Sequence, residues 1–508
     1  MLKKDIPVFL SIFILYCIVE ITGSFFHILW ADEIHAWCLA VNSSSISELL
    51  KNKSYEGHPD LWFFILYALK QITTDPLVVK LFHSFIAILS VFLFLRYSPF
   101  TRLQKALFVF GYFPLFEYAI LNRNYGIEVF LLFIFLILYR NRQRFLIWIS
   151  IILFLILQTN VFGIILAISL AMTLVFEFFY SRSFRYQVMT EKASLVIALI
   201  IFAGGLIYGT MSILPMKDCY ITVPLPFGAL TLNNFLNSVA SFWRGMVPVP
   251  SPGIHFWDTN IIGSVIIQFI LAVSLIFSMV IMFKKRPVIL FLFVTGIAGM
   301  LFFVFDFYTG SLRHHGHYYL LFIACLWISA EFPERQKPLR FAFLEKYYYF
   351  LNRNRNILLT LILTIHMCTG IYCVFTQIFT PFSEAKRTAE FIREQKLDRF
   401  TIAGDWDWYA ASVGAYFNKD FYYFSRNSFS KYVILDNKRI EYTQGEIIKR
   451  TDSLSRVMND TLLVLLNYPL KNAVAAGFRP VASFTNSIHP LEQYYLYLYK
   501  YRNDDPGN

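Results

Sequence analysis

The sequence predicts a mostly α-helical protein that crosses a membrane about eleven times and ends in a small α/β domain. Of its 508 residues, 57% are hydrophobic and only 15% are charged, which is more apolar surface than a soluble protein of this size can bury. The basic residues lie mainly in short loops between long apolar runs. This placement favours a role in membrane orientation over nucleic-acid binding, despite the net charge of +12.

The predicted spans are the apolar runs of roughly 20 residues, or somewhat fewer where local geometry permits. The first run has no small-residue cleavage site and is predicted to be retained. The eleven spans are 6–29, 76–96, 105–121, 125–139, 144–160, 161–180, 193–213, 259–283, 287–306, 317–331 and 357–379.

Charge sets the orientation of these spans. If Lys3 and Lys4 lie inside, every inside loop is basic, as the positive-inside rule requires. We therefore expect an integral plasma (inner) membrane protein with a cytoplasmic N-terminus. The inside loops are 97–104, 140–143, 181–192, 284–286 and 332–356, and the outside receives 30–75, 122–124, 214–258, 307–316 and the tail from 380.

Residues 61–69 are apolar, but only about fifteen residues separate Pro59 from Asp75, which is short for a crossing. We predict a helix lying at the outer membrane surface. The sequence thus divides into a transmembrane module, 1–379, which includes the first outer loop 30–75, and an extracytoplasmic α/β domain, 380–508.

The predicted second domain has more charged residues and shorter apolar runs than the first. Ser383 to Lys396 has helical periodicity. Residues 400–403, 461–466 and 494–499 are typical of strands.

Two adjacent carboxylates, Asp32 and Glu33, follow the first span. A carboxylate at a membrane edge can accept a proton from a nucleophile or hold a divalent cation, although acids near a helix end are often simply solvated. Further on, Gly57 and Pro59 flank His58 and indicate a fixed turn. His58 is a candidate ligand for phosphate or metal, or only a turn residue.

These segments resemble the pattern of GT-C glycosyltransferases, such as protein O-mannosyltransferases and the aminoarabinose transferases that act on lipid A. The resemblance covers the first 180 residues and is only architectural beyond them. This sequence departs from the pattern at Asp60, where a second proline is common, and at Lys80, where arginine is usual. The matching segments are Asp32-Glu33, Gly57–Trp62, Lys80–Ser84 and Asn122–Gly126.

The resemblance implies a GT-C-like fold and an inverting transfer of a sugar at the outer leaflet. The implied donor is a sugar linked to a polyprenyl phosphate, and the acceptor is a glycan, a lipid or a protein. Asp32 matches the position of the catalytic base, with Glu33 beside it. The leaving group is a phosphate, so cationic groups should stabilise its developing charge.

Ionisable residues at the outer ends of the spans are the candidates for substrate contacts, because such residues are costly in a membrane. In the outer loop 307–316 and just beyond it, the Arg313–His317 cluster is a candidate phosphate clamp, with a solvated loop as the alternative. The 214–258 loop, with Trp257 and Asp258, is expected to cover the site. The predicted donor-phosphate ligands are Lys80, His83, Arg123, Arg313, His314, His315 and His317, and the predicted substrate ligands are His58, Glu117 and Asp306.

Several alternatives remain at this stage. A transporter or flippase of lipid-linked glycans would show polar or broken spans and repeated halves, whereas these spans are apolar at their centres and no repeat is visible. A non-catalytic scaffold would leave the polar outer rim unexplained. The sequence identifies no cofactor, although a divalent cation is one alternative. Cys38 and Cys219 could form a disulfide or remain two thiols.

Overall fold

The computed structural model describes residues 6–220, 231–336, 338–417 and 419–501. The orienting residues Lys3, Lys4 and Lys337 lie outside the described residues, as do positions 221–230 of the predicted covering loop. Most of the described chain is helical. Its α-helices are α1 (Ile6–Phe26), α2 (Ala31–Asn42), α3 (Ile46–Lys53), α4 (Leu61–Leu69), α5 (Leu77–Tyr97), α6 (Arg102–Val109), α7 (Tyr125–Tyr139), α8 (Leu146–Ile156), α9 (Val161–Tyr180), α10 (Arg182–Thr190), α11 (Lys192–Ser212), α12 (Leu232–Met246), α13 (Val265–Phe283), α14 (Pro287–Asp306), α15 (Leu312–Ile328), α16 (Ala342–Arg353), α17 (Arg355–Phe379), α18 (Ala385–Glu394), α19 (Asp407–Gly414) and α20 (Gln444–Met458).

Among the described residues, seven helices are long and apolar enough to cross a membrane by length and composition: α1, α5, α9, α11, α13, α14 and α17. Two shorter apolar helices, α7 and α8, lie at two further predicted spans. The prediction of a polytopic helical membrane protein is confirmed. The other two predicted spans are 105–121 and 317–331, and most of the latter belongs to α15, which has 17 residues.

The predicted span 105–121 is helical but is not one continuous α-helix, because this segment divides into α6 and a π-helix, Tyr112–Ile120. Pro114 has no backbone N–H to donate within this segment. Gly370 of α17 packs against the break so closely that a Cβ there would lie 2.5 Å from the Phe110 carbonyl oxygen. The chain therefore changes helical geometry where α17 crosses it.

Three short helices follow the first span, and α4 matches the predicted surface helix, residues 61–69. α4 buries Trp62, Phe63 and Leu66 against the rest of the protein. The turn before it is held by an ion pair between Lys53 and Asp60, both of which are buried. Asp60, one of the two departures from the family pattern, therefore stabilises the turn that carries His58.

A six-stranded mixed sheet lies within the predicted C-terminal domain. Its order is β3-β2-β1-β4-β6-β5, with β1 parallel to both β2 and β4 and the other pairs antiparallel. The three predicted strands correspond to β1, β4 and β6 and are confirmed, as is the helix within 383–396. The strands are β1 (Thr401–Gly404), β2 (Phe421–Tyr423), β3 (Ser428–Ser430), β4 (Leu462–Leu466), β5 (Arg479–Phe484) and β6 (Tyr494–Tyr499).

Both faces of the sheet are covered. Alternate residues of a strand point to opposite faces, and every residue of β4 is buried. Leu463 and Leu465 pack in the core that includes α18 and α19, whereas Val464 packs with Ile447 of α20. This burial explains the uninterrupted apolar run that identified β4 in the sequence.

Candidate active site

The carboxylate of Asp32 forms ion pairs with two arginines. Its Oδ2 lies 3.0 Å from Arg313 Nη2 and 3.4 Å from Arg123 Nη1. Arg123 Nη1 also donates to the Asp32 carbonyl oxygen at 2.6 Å. All three side chains are only partly exposed, at 15% for Asp32, 13% for Arg313 and 11% for Arg123. The three charged groups are therefore largely shielded from solvent but still accessible from outside the protein.

Three distant chain segments bring these charges together. Asp32 lies in the first turn of α2, Arg123 lies in the turn between the π-helix and α7, and Arg313 lies in the first turn of α15. The Leu312 N–H at the start of α15 donates to the Asp258 carboxylate at 2.5 Å, which satisfies one of the free N–H groups of that helix end. The loop that holds Trp257 and Asp258 thus helps to position Arg313.

Two tryptophans in contact with each other lie next to Arg313. Its guanidinium carbon lies 5.4 Å from the ring centroid of Trp30 and 5.6 Å from that of Trp257. Both separations are within the range of a cation–π interaction. The Trp257 indole N–H donates to Glu117 at 3.2 Å, and the Glu117 carboxylate also accepts from the Tyr112 hydroxyl at 2.5 Å. Glu117 therefore contacts the wall of the site through Trp257.

The environment of Asp32 keeps its carboxylate ionised. Burial by itself raises the pKa of this group. The positive charges of Arg123 and Arg313 oppose that effect, and the net result is that the pKa of Asp32 is lowered. Asp32 is thus a charged acceptor in the state described by the structure.

His58 lies beside Arg123, with 3.4 Å between His58 Nε2 and Arg123 Nη2. Burial, followed by the charge of Arg123, lowers the pKa of His58 to about 4. The ring is therefore neutral at pH 7, and Nε2 can accept from the guanidinium. The His58 Nδ1 is buried and has no hydrogen-bond partner among the described residues.

Glu33 faces away from this arginine pair. Its carboxylate lies 2.8 Å from His27 Nε2, accepts the Trp30 N–H at 3.0 Å and accepts the Asn122 N–H. It is 2% exposed. Glu33 therefore joins the end of the first span to α2 and to the segment before Arg123.

Lys80 and His83, both on α5, contact backbone carbonyl groups. The Lys80 ammonium donates to the His27 oxygen at 2.8 Å. The two ring nitrogens of His83 lie 2.7 Å from the Ala119 oxygen and 2.8 Å from the Arg123 oxygen. These contacts fix the backbone on which the Asp32 and Arg123 side chains are mounted.

The predicted loop at 313–317 is wrong, because α15 begins at Leu312. Successive side chains on a helix point in different directions, about 100° apart. His314 Nε2 lies 3.0 Å from the Tyr125 hydroxyl, His315 Nε2 lies 3.0 Å from the Thr309 oxygen, and His317 Nε2 lies 3.0 Å from Glu128. Of the cluster, Arg313 is the member that contacts Asp32. Asp306, another predicted ligand, is buried at the end of α14.

The C-terminal domain contributes residues that the sequence analysis did not single out. His489 stacks on Trp30 with 5.0 Å between ring centroids, and burial lowers the pKa of His489 to about 4. The Glu492 carboxylate accepts the Ala31 N–H at 2.7 Å and the Ser383 hydroxyl at 2.6 Å. Trp30 stands two residues before Asp32 and could have been noticed, whereas no local pattern points to His489 or Glu492.

Within the described ranges, no group of three or more His, Cys, Asp or Glu side chains is placed to hold a metal ion. Cys38 is a buried free thiol, and the Cys219 thiol donates to the Tyr55 carbonyl oxygen at 3.7 Å. The disulfide considered for this pair is thus not formed.

The fold and the site define a polytopic helical membrane protein with a charged, aromatic-lined site at one end of its helices. No protein-family model and no curated protein matches the chain. Among solved structures, the chain is similar to the crystal structure of ArnT from Cupriavidus metallidurans bound to undecaprenyl phosphate. The match covers 98% of each chain with 11% sequence identity and a TM-score of 0.47.

Proposed function

We propose that this protein is a membrane glycosyltransferase that moves a sugar from a polyprenyl-phosphate-linked donor to an acceptor at the outer face of the membrane. The observation that carries the proposal is the convergence of Asp32, Arg123 and Arg313 at one end of the membrane helices. The sequence resemblance suggests the donor and acceptor classes. The site contains the two kinds of group that such a transfer needs, which are a carboxylate base and cationic ligands for a phosphate.

The arginines are suited to bind the donor phosphate. A guanidinium presents a planar pair of donors that matches phosphate oxygens, and such charge-assisted bonds are among the strongest in proteins. Contacts with Trp30 and Trp257 restrict Arg313, so less side-chain freedom remains to be lost on binding. The same charges would stabilise the phosphate as it leaves.

Donor binding also prepares Asp32 to act. In the structure the two arginines lower the pKa of this carboxyl, which makes it a weak base. A phosphate that shares the arginines cancels part of their positive field at Asp32, and the pKa of Asp32 then rises. The carboxylate consequently becomes a better proton acceptor when the donor is present.

The proposed reaction is a single inverting displacement. The acceptor hydroxyl gives its proton to Asp32, and its oxygen forms a bond to the anomeric carbon of the sugar. The bond from that carbon to the phosphate oxygen breaks, and the polyprenyl phosphate leaves with the electron pair. The acceptor is a glycan, a lipid or a protein at the membrane surface.

Four of the remaining predicted site residues take one of two roles in this proposal. His58 contacts Arg123 and is a candidate substrate ligand, because its buried Nδ1 has no partner among the described residues. Glu33, Lys80 and His83 act as positioning residues, because their side chains bind the backbone around Asp32 and Arg123.

The orientation of the site is also a proposal. Basic loops at the opposite end of the helices favour a cytoplasmic N-terminus, with the site and the C-terminal domain outside. Alkaline phosphatase fused after Tyr501 should be active. An inactive phosphatase fusion, together with an active cytosolic reporter fused at the same residue, would contradict both the orientation and the outer-leaflet donor.

The proposed function is tested by deleting the gene and analysing lipid-linked sugars. We expect a polyprenyl-phosphate sugar to accumulate in the outer leaflet, to disappear on complementation with the wild-type gene, and to persist with Asp32→Asn. Accumulation in the inner leaflet would instead indicate the flippase alternative. Transfer by the purified protein should be measured with Mg²⁺ and with EDTA, which tests the contribution of a divalent cation.

A further inference from the structure

A groove of about 410 Å³ lies at the end of the helices opposite Asp32. α14 begins at this groove and ends at Asp306. α15 begins at the candidate active site and runs back toward the end of the helices that holds the groove. The walls of the groove include Phe176, Lys284, Leu290, Phe291, Val294 and Arg335.

One wall is apolar and belongs to a helix long enough to cross a membrane. Leu290, Phe291 and Val294 share one face of α14, because residues three and four apart on a helix are neighbours. The Phe291 ring stacks on Phe176 of α9 with 4.5 Å between centroids. Val294 is 46% exposed, so this wall is accessible from the side of the bundle.

Two cations stand at the mouth of the groove. Arg335 is held in place by its Nε, which donates to the Tyr180 hydroxyl at 2.6 Å, and by its backbone N–H, which donates to the Lys285 oxygen at 2.9 Å. Its guanidinium also lies 4.8 Å from the Tyr180 ring centroid. Lys284 is exposed on the adjacent loop.

These two cations differ from the basic residues beside them. Lys285 is paired with Glu345 at 2.6 Å, and Arg286 is paired with Glu334 at 2.9 Å. Among the residues that the structure describes, no carboxylate lies within ion-pair distance of Lys284 or Arg335. Glu345 and Glu334 thus neutralise Lys285 and Arg286. The positive charges of Lys284 and Arg335 at the groove are not neutralised in this way.

We propose that the groove binds an anionic phospholipid. The headgroup phosphate lies between Lys284 and Arg335, and one acyl chain packs along Leu290, Phe291 and Val294. Basic pockets between membrane helices on the cytoplasmic side suit such headgroups. Contacts with the apolar wall would replace the contacts that the acyl chain otherwise makes with other lipids. This site is separate from the proposed transferase site.

The proposal is tested by native mass spectrometry of the full-length protein with added phosphatidylglycerol or phosphatidylcholine of identical chains. Wild type should retain phosphatidylglycerol preferentially. The double variant Lys284→Gln, Arg335→Gln should bind it about tenfold to thirtyfold more weakly, given the usual contribution of each basic residue near a membrane surface. The matched control Lys346→Gln, Arg353→Gln removes the same charge from exposed positions of α16 and should bind as wild type does.

A second variant keeps the charges and fills the groove. Val294→Trp should also weaken phosphatidylglycerol retention, whereas Ile270→Trp, at an exposed position of α13, should not. Thermal unfolding in detergent verifies that each variant is folded. Equal retention of both lipids by wild type, or undiminished phosphatidylglycerol binding by the double variant, would overturn the proposal.

Discussion

Arg313 binds the Asp32 carboxylate at 3.0 Å while its guanidinium lies against the adjoining rings of Trp30 and Trp257. The arginine is thus directed toward Asp32 from a fixed position. A phosphate that enters this site must compete with the carboxylate for the same nitrogen atoms. The ion pair therefore links phosphate binding to the basicity of Asp32, and the predictions below examine that link.

Arg313→Ala should weaken use of the donor more than use of the acceptor. Hydrogen bonds to charged groups contribute about 1.5–3 kcal/mol, so the donor KM or Kd should rise about tenfold to a hundredfold. Arg313→Lys should recover only part of the loss, because an ammonium lacks the planar pair of donors. The measurement is steady-state kinetics with each substrate varied in turn. An unchanged donor KM and kcat would exclude Arg313 as a phosphate ligand.

Trp257→Ala should also raise the donor KM. A cation–π contact contributes about 0.5–2 kcal/mol, which corresponds to a roughly twofold to thirtyfold effect. Trp257→Phe keeps a ring beside Arg313 but loses the N–H that donates to Glu117, so it should fall between Trp257→Ala and wild type. Trp148→Ala, at an exposed position of α8, is the control. If Trp257→Ala and Trp257→Phe both had the wild-type KM, stacking would not position Arg313 for substrate.

Glu33 and Asp32 should respond differently to substitution. Glu33→Ala removes a buried partner of His27 and Asn122, and breaking a buried pair typically costs about 3–5 kcal/mol. We expect a large loss of thermal stability. Asp32→Asn should remain folded and lose transfer. Thermal unfolding and activity are measured on the same preparations, and Glu33→Gln is measured beside them. If Glu33→Gln is stable and inactive while Asp32→Asn is active, the base is Glu33.

The stability that the buried Glu492 carboxyl contributes should fall as the pH rises. Burial raises the pKa of Glu492 to about 7, well above its ordinary value of about 4.3. A raised carboxyl pKa means that the folded protein holds this proton more tightly than the unfolded chain. Its stabilising contribution is complete below about pH 4.3 and is lost as the pH rises through about 7.

Glu492→Gln imitates the protonated group and supplies the comparison. The Tm of wild type should fall relative to that of Glu492→Gln between pH 5 and pH 8. Parallel Tm curves for the two proteins would show that Glu492 does not titrate in this range.

The sequence predicted the long elements best, because their signal is local. α1, α5 and α14 are recognisable from about twenty apolar residues, and β4 from an unbroken apolar run. β2 and β3 have only three residues each, too few for a clear pattern. β5 contains Pro480 and is largely exposed, which conceals its strand character.

The candidate site was predicted only in part, for a related reason. Asp32 was visible beside the first span, and Arg123 and Arg313 were visible as charges at span ends. Their convergence depends on contacts between segments far apart in the chain. The start of α15 is stabilised by Asp258, more than fifty residues earlier, so the polar sequence around Arg313 looked like a loop. Likewise, His489 reaches the site only through the folded C-terminal domain.

The most direct test of the central claim compares polyprenyl phosphate binding with sugar transfer in Asp32→Asn. Removing the carboxylate charge frees Arg123 and Arg313 for phosphate, so the variant should bind polyprenyl phosphate at least as tightly as wild type and yet show no transfer. Arg313→Ala should lose binding in the same assay. Retained transfer by Asp32→Asn, or a loss of phosphate binding equal to that of Arg313→Ala, would contradict the account.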